Sequence, residues 1–116
     1  QNLNTMGLFF ENLCIRDLRV YAESLNGTVY HYRDRNGLEC DAVIHLRNGQ
    51  YGLVEIKLGG DKAIAEGIET LNKLSAQIDT SVMKPPAFKM ILIGLGNIAY
   101  TQKEGIHIVP VGCLRD

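Results

Sequence analysis

Charged residues interrupt two stretches of sequence that are otherwise typical of buried β-strands. Asp41 immediately precedes the apolar run 42–44, although aspartate is disfavoured in strands. Glu55 and Lys57 lie two residues apart in another apolar stretch, so a strand would place both on one face. Two carboxylates and a backbone carbonyl, most naturally that of Ile56, are a donor set that suits Mg²⁺. Ordinary alternation on a solvent-exposed face would also explain Glu55 and Lys57.

Glu11 is a further charged residue in an unusual position. Apolar residues recur every three or four positions and predict a helix from about residue 6 to residue 25. At 100° per residue, Leu18 and Ala22 lie within about 20° of Glu11, so its side chain projects from the middle of the apolar stripe. Burying a carboxylate costs several kcal/mol unless it is paired or coordinated, which favours a functional role. The alternative is an acid near the helix start, stabilised by the helix dipole.

Apolar patterning predicts the elements that must position these residues. Strands are predicted at 28–33, 39–46, 51–58, 88–95 and 106–111, and a second helix at 61–78. Short glycine-containing turns make the first three strands an antiparallel meander. The second helix can serve as a right-handed crossover, which would make strands 51–58 and 88–95 parallel. The sequence therefore predicts an α/β fold with a mixed central sheet flanked by helices and a short C-terminal strand.

The turn at residues 47–49 decides which residues of the second and third strands face each other. A two-residue Asn-Gly loop would place Asp41 opposite Ile56. A three-residue loop, with Gly49 left-handed at a bulge, would place Asp41 opposite Glu55 instead. Two facing carboxylates repel each other, so the second register requires a cation between them. The turn sequence fits both loops, and we take the three-residue loop, with Gly49 at positive φ, as the hypothesis.

Length and composition exclude several classes of protein. The chain has 116 residues, which predicts a single domain over residues 1–116. Twelve basic against thirteen acidic residues give a net charge of −1, unlike a strongly basic nucleic-acid-binding module. No apolar run is long enough to span a membrane, and no membrane partner is expected. Three scattered cysteines predict reduced thiols and a cytoplasmic location. The start at Gln1 suggests part of a longer protein.

The spacing of the charged residues resembles the signature of the PD-(D/E)xK nucleases. Asp41 is followed by thirteen residues and then by Glu55-Ile56-Lys57. The predicted order of helix, three strands, helix and strand resembles the αβββαβ core of that restriction-endonuclease-like superfamily, over about residues 7–95. Many members also carry a glutamate on the first helix, here Glu11. The sequence has Cys40 in place of the proline of the motif, and it lacks the Gln-x-x-x-Tyr element of RecB-like nucleases.

A closer resemblance covers nearly the whole chain. Segments 7–11, 32–33, 37–41, 54–57 and 106–111 resemble an uncharacterised domain found C-terminal to AAA+-type ATPase domains in many bacterial and archaeal proteins. This resemblance implies an ATPase domain of the same polypeptide as the partner. The chain itself has no Gly-x-x-x-x-Gly-Lys-Ser/Thr loop, so no ATPase activity is expected from it.

The resemblance implies metal-assisted hydrolysis of nucleic-acid phosphodiesters, by an endo- or exonuclease, with DNA as the candidate partner and RNA as the alternative substrate. Asp41, Glu55 and the Ile56 carbonyl would hold Mg²⁺ or Mn²⁺. Glu11 would bind the ion through water or a second ion. Lys57 would orient the attacking water or help to deprotonate it, and would stabilise developing charge.

Arg33 is the expected substrate-binding residue, because a guanidinium can hold a phosphate. A salt bridge to Glu39 or Asp41 is the alternative for this side chain. At the level of the whole domain, a homo-oligomer is compatible with the sequence. Two alternatives to a nuclease stay open: a non-catalytic, nuclease-like module that docks on or regulates the ATPase, and a purely structural carboxylate–lysine network.

Overall fold

A mixed six-stranded sheet with one helix on each face forms the fold. The computed structural model describes the backbone of residues 2–114 and the side chains of residues 7–114; Gln1, Arg115 and Asp116, at the ends of the predicted domain, lie outside the described residues. The elements are α1 (Asn2–Ser24), β1 (Gly27–Arg33), β2 (Glu39–Leu46), β3 (Tyr51–Lys57), α2 (Asp61–Gln77), β4 (Phe88–Ile93), β5 (Tyr100–Thr101), β6 (His107–Pro110) and a 3₁₀ turn (Val111–Leu114). None of the described helices is both long and apolar enough to cross a bilayer.

The strand order in the sheet is β1-β2-β3-β4-β6-β5. Strands β1, β2 and β3 form the predicted antiparallel meander. Helix α2 is the predicted crossover, since β3 and β4 are parallel neighbours. The expected C-terminal strand is β6, parallel to β4, and the two-residue strand β5 pairs antiparallel with it. Sequence patterning missed β5 because two residues are too few to show a period.

Alternate residues of the central strands supply two hydrophobic clusters, one under each helix. The α1-side cluster consists of Cys14, Leu18, Ala22, Ala42, Ile44, Val54, Ile56, Met90 and Leu92. The α2-side cluster consists of Cys40, Tyr51, Leu53, Leu71, Leu74, Ile91, Ile93, Ile106 and Ile108. Burial on both faces explains why β3 and β4 are almost continuously apolar in sequence.

The β2–β3 turn is a three-residue loop, which settles the register that the sequence left open. The backbone N–H of Leu46 donates to the carbonyl of Gln50 at 2.8 Å, and that of Gly49 donates to the carbonyl of Leu46 at 3.0 Å. Gly49 has φ of 89°, the left-handed conformation expected at such a bulge. The pairing runs from His45 with Tyr51 to Ala42 with Val54. Continued by one residue, it places Asp41 opposite Glu55.

A β-bulge distorts β2 where Asp41 lies. Tyr30 of β1 pairs with Val43, and Tyr32 pairs with Cys40. An advance of two residues along β1 therefore corresponds to three residues along β2. The extra residue of β2 therefore lies opposite His31. Residues two apart on a regular strand share a face, yet Cys40 belongs to the α2-side cluster and Ala42 to the α1-side cluster. Bulges re-aim side chains in this way, and here the bulge re-aims Asp41.

Candidate functional site

The carboxylates of Asp41 and Glu55 interlock with the backbone where the β2–β3 ladder ends. The backbone N–H of Asp41 donates to Glu55 Oε2 at 2.9 Å. The backbone N–H of Ile56 donates to Asp41 Oδ2 at 2.8 Å. The last ladder pair is Ala42 with Val54, so these side-chain bonds replace the next backbone pair. Each carboxylate thus uses one oxygen to bond the opposite strand, which leaves Asp41 Oδ1 and Glu55 Oε1 for another ligand.

The backbone around this opening has further polar atoms. In an antiparallel strand the N–H and the C=O of one residue point to the same neighbour, so the Ile56 carbonyl faces β2 as its N–H does. The thiol of Cys40 lies 3.2 Å from the carbonyl oxygen of Ala42 and 3.5 Å from that of Val54. Burial raises the pKa of the Cys40 thiol to about 12. Cys40 is therefore a neutral packing residue and not a nucleophile.

Both carboxylates resist ionisation in the folded protein. Glu55 is only 5% exposed, and burial together with the charge of Asp41 raises its pKa to about 7. Burial also raises the pKa of Asp41, while the hydrogen bond from Ile56 and the charge of Lys57 lower it. Two buried carboxyl groups with raised pKa values are stabilised either by taking up a proton or by binding a cation that neutralises their charge.

Glu11 reaches the same region from α1, as its place in the apolar stripe predicted. Glu11 and Asp41 line one small cavity of about 130 Å³, here called the carboxylate cavity, which Ile15, Arg19, Val29, Tyr30 and His31 complete. Burial and, next, the charge of Asp41 raise the pKa of Glu11. A glutamate that was stabilised only by the helix dipole would not need to contact the sheet, so the dipole alternative does not explain why Glu11 lies beside Asp41.

Lys57 is the cation of the cluster. Its charge lowers the pKa of Glu11, of Asp41 and of Glu55, and it lies two residues from Glu55 on β3, a spacing that puts both side chains on one face of the strand. Among the side chains of residues 7–114, no carboxylate is within ion-pair distance of Lys57. The ammonium group is therefore not fixed to a described carboxylate, and it has N–H donors to offer to a ligand.

Arg33 lies away from this cluster and takes the alternative that the sequence offered. Its guanidinium donates to Glu39 Oε1 at 2.7 Å from one terminal nitrogen and at 3.0 Å from Nε. His31 Nε2 lies 3.2 Å from the same oxygen. The hydrogen bond from Arg33 lowers the pKa of Glu39. Glu39, and not Asp41, is therefore the partner of Arg33, whose guanidinium keeps N–H donors that these two bonds do not use.

Sequence reasoning missed two nitrogen-bearing side chains that line the carboxylate cavity, Arg19 and His31. The helical pattern puts Arg19 on the polar face of α1. Arg19 follows Glu11 by two intervals of four residues, and residues at this spacing are neighbours along one helix face. This spacing could have indicated that Arg19 lies near the same cavity. His31 gave no signal, because its position depends on the bulge opposite it.

A larger apolar groove of about 410 Å³ on the α2 side of the sheet was also missed. Tyr30 and Tyr32 line this groove and are 56% and 42% exposed.

The carboxylates of Asp41 and Glu55 need a backbone carbonyl as a third ligand before they can hold a hard cation. Within the part of the chain whose side chains are described, no three His, Cys, Asp or Glu residues are grouped so that they could hold a metal ion. Asp41 and Glu55 therefore need the Ile56 carbonyl and water to complete a coordination sphere. Mg²⁺ commonly keeps several waters and binds one or two carboxylates, so this set is chemically sufficient.

Comparison with known proteins places the chain in one family. A family model described as a domain of unknown function, DUF4143, matches residues 6–114. Neither a curated protein nor a solved structure gives a significant match. Because the family model covers nearly the whole chain, this protein belongs to the DUF4143 family.

Proposed function

We propose that this domain is a nuclease that uses Mg²⁺ or Mn²⁺ to hydrolyse nucleic-acid phosphodiesters. One observation carries the proposal: the carboxylates of Asp41 and Glu55 meet where the β2–β3 ladder ends, bonded at 2.9 and 2.8 Å to each other's strands. No ordinary packing requirement puts two acids opposite each other on central strands, since such a pair is repulsive.

The element order supports a restriction-endonuclease-like core in this proposal. Helix α1, strands β1–β3, helix α2 and strand β4 follow the order αβββαβ, with β3 and β4 parallel. The Asp41, Glu55 and Lys57 positions on β2 and β3 agree with the PD-(D/E)xK spacing. Glu11 on α1 borders the same cavity as Asp41, as in the members that carry a helix-borne glutamate.

Each residue of the cluster has a role in the proposed reaction. Asp41, Glu55 and the Ile56 carbonyl would hold the metal ion, which when bound polarises the phosphate and lowers the pKa of a bound water. Lys57 would orient the attacking water and donate to the phosphate as negative charge develops. Glu11 would accept hydrogen bonds from metal-bound water on the α1 side of the cavity.

The proposed partner is an AAA+-type ATPase domain of the same polypeptide. With twelve basic and thirteen acidic residues, this chain has no excess of cations to follow a nucleic-acid backbone. The ATPase domain would supply that basic track, or would hold two nuclease domains together in an oligomer. We propose DNA as the substrate on the strength of the resemblance.

A cleavage assay tests the proposed function. The chain is incubated at low salt with labelled DNA and RNA in Mg²⁺, in Mn²⁺ and in EDTA. We expect weak, metal-dependent cleavage that Asp41→Asn and Lys57→Ala abolish and that Lys62→Ala, a change at an exposed lysine of α2, leaves intact. Cleavage that persists equally in all variants would show a contaminant and would contradict the proposal.

A non-catalytic module that docks on or regulates the ATPase is the second candidate. The observation that favours it is that Asp41 and Glu55 each already accept a backbone hydrogen bond, so the pair closes the ladder without any metal. In that case wild type and Asp41→Asn, whose amide oxygen can still accept from Ile56, would both fail to cleave DNA or RNA. Metal-dependent cleavage by wild type that Asp41→Asn abolishes would exclude this candidate.

A further inference from the structure

We propose that Arg19 forms a phosphate subsite at one end of the carboxylate cavity, where it holds a phosphate of the bound strand next to the one that reacts. The inference rests on the proposed function for its substrate, because it names the part of a nucleic acid that this cavity recognises. Arg19 lines the cavity together with Glu11 and Asp41, yet it has no place in the PD-(D/E)xK pattern.

The geometry of α1 places Arg19 along this cavity. Glu11, Ile15 and Arg19 are spaced by four residues and all three line the cavity, so they form one row along the helix. Eight residues correspond to a rise of about 12 Å. Helical side chains lean toward the N-terminus, which for Arg19 is the direction of Ile15 and Glu11. The row therefore has an acid at one end and a cation at the other.

The two ends of the cavity carry opposite charges, acidic at Glu11 and Asp41 and basic at Arg19, and therefore suit different ligands. The end formed by Glu11 and Asp41 would repel a phosphate unless a divalent cation lies between them. At the other end, Arg19 is exposed and forms no ion pair with any described side chain. Its guanidinium is therefore available for a bidentate contact with phosphate oxygens, the geometry for which arginine is better suited than lysine.

The size of the cavity indicates which part of a nucleotide it takes. A volume of about 130 Å³ is well below the roughly 300–1,000 Å³ of pockets that enclose whole small molecules. The cavity can therefore hold a phosphate group but not a nucleoside. His31 on the facing strand adds polar ring nitrogens, one of which Glu39 already holds at 3.2 Å. Recognition here would concern the backbone of the strand and not its base sequence.

A binding experiment with a matched control tests the subsite. All variants carry Lys57→Ala to prevent cleavage, and affinity for a fluorescein-labelled oligonucleotide is measured in Mg²⁺ across a series of salt concentrations. Arg19→Ala is compared with Arg16→Ala, which removes another exposed arginine of α1 that does not line the cavity. We expect Arg19→Ala to weaken binding about tenfold and to reduce the salt slope by about 1. Arg16→Ala is expected to change affinity less than about twofold, and Arg19→Lys to restore part of the loss.

The outcomes separate this inference from the proposed function. Equal affinities and equal salt slopes for Arg19→Ala and Arg16→Ala would overturn the subsite even if the domain cleaves DNA. An oligonucleotide affinity that depends on Arg19 would uphold the subsite even if no cleavage is found, and would then place the domain among nucleic-acid-binding modules. The absence of measurable binding by the Lys57→Ala parent would contradict the subsite. Unchanged thermal melting of Arg19→Ala would exclude a folding defect as the cause of weaker binding.

Discussion

The backbone N–H of Asp41 donates a hydrogen bond of 2.9 Å to the carboxylate of Glu55. This bond joins adjacent strands by a side chain at the point where their backbone ladder stops. The reciprocal bond, from the Ile56 N–H to Asp41 Oδ2 at 2.8 Å, fixes the second carboxylate. The two acids are thereby held beside each other with one oxygen each left over, and their pKa values are raised. The arrangement explains why the region should respond to protons and to cations.

We expect the stability of the metal-free domain to fall as pH rises through the titration of Glu55. Its pKa is raised from 4.5 to about 7, so the unfolded chain ionises first. The stabilising effect is fully present below pH 4.5 and is lost as pH rises to about 7. The difference in unfolding free energy across this window is on the order of 3 kcal/mol.

Chemical denaturation of wild type and Glu55→Gln across this pH range measures the effect. Glutamine can accept the same bond from Asp41 but cannot ionise. A wild-type pH profile parallel to that of Glu55→Gln would show that Glu55 titrates as it does in the unfolded chain.

The sequence predicted the elements well and the site in part. Helices, meander, crossover and the place of Glu11 follow from apolar periods that depend on local sequence. The register of β2 against β3 does not follow from these periods, because Asn48 and Gly49 fit two loop types that differ by one residue. The structure has the three-residue loop. The bulge opposite His31 and the cavity role of Arg19 were also not predictable, because both arise from contacts between elements distant in sequence.

Gly49 should be essential to the loop that sets this register. Its φ is 89°, and a Cβ atom at this position would meet no other atom within 4 Å. A side chain there would therefore destabilise the fold only through the strain of an L-residue in the left-handed backbone conformation, and not through a clash. We expect Gly49→Ala to destabilise the domain by about 1–2 kcal/mol, and Gly49→Asn by less, because asparagine tolerates the left-handed region. Urea denaturation measures both.

Gly112→Ala is the matched control for this change. Gly112 also has open space at the Cβ position, but its φ is not in the left-handed region. If Gly112→Ala costs as much as Gly49→Ala, the conformational explanation for Gly49 is wrong.

Lys57 should be needed for cleavage more than for metal binding. We expect Lys57→Ala to reduce cleavage at least about 100-fold, the effect of removing one group that stabilises developing charge, while metal still binds. Because the charge of Lys57 lowers the pKa of Glu11, Asp41 and Glu55, all three values should rise in this variant. NMR titration of the side-chain carboxyl carbons measures the shifts. Unchanged carboxyl titrations would show that the ammonium group lies too far away to act on these acids.

Cleavage by this chain alone should be weak and strongly dependent on salt. Affinity for nucleic acid comes largely from phosphate neutralisation by lysine and arginine, and here thirteen acids offset twelve basic residues. We expect the rate to rise when the proposed ATPase domain is present in the same polypeptide. Equally efficient cleavage with and without that domain would remove the need for a partner.

A metal titration of the chain shows whether Asp41 and Glu55 form a divalent-cation site. Calorimetry and thermal melting are performed with Mg²⁺ and Mn²⁺ on wild type, Asp41→Asn and Glu55→Gln. We expect one site in wild type, with a stabilisation of about 2.7 kcal/mol at a hundred times the dissociation constant, and loss of that site in both variants. Binding of equal affinity in wild type and both variants, or no binding in wild type, would contradict it.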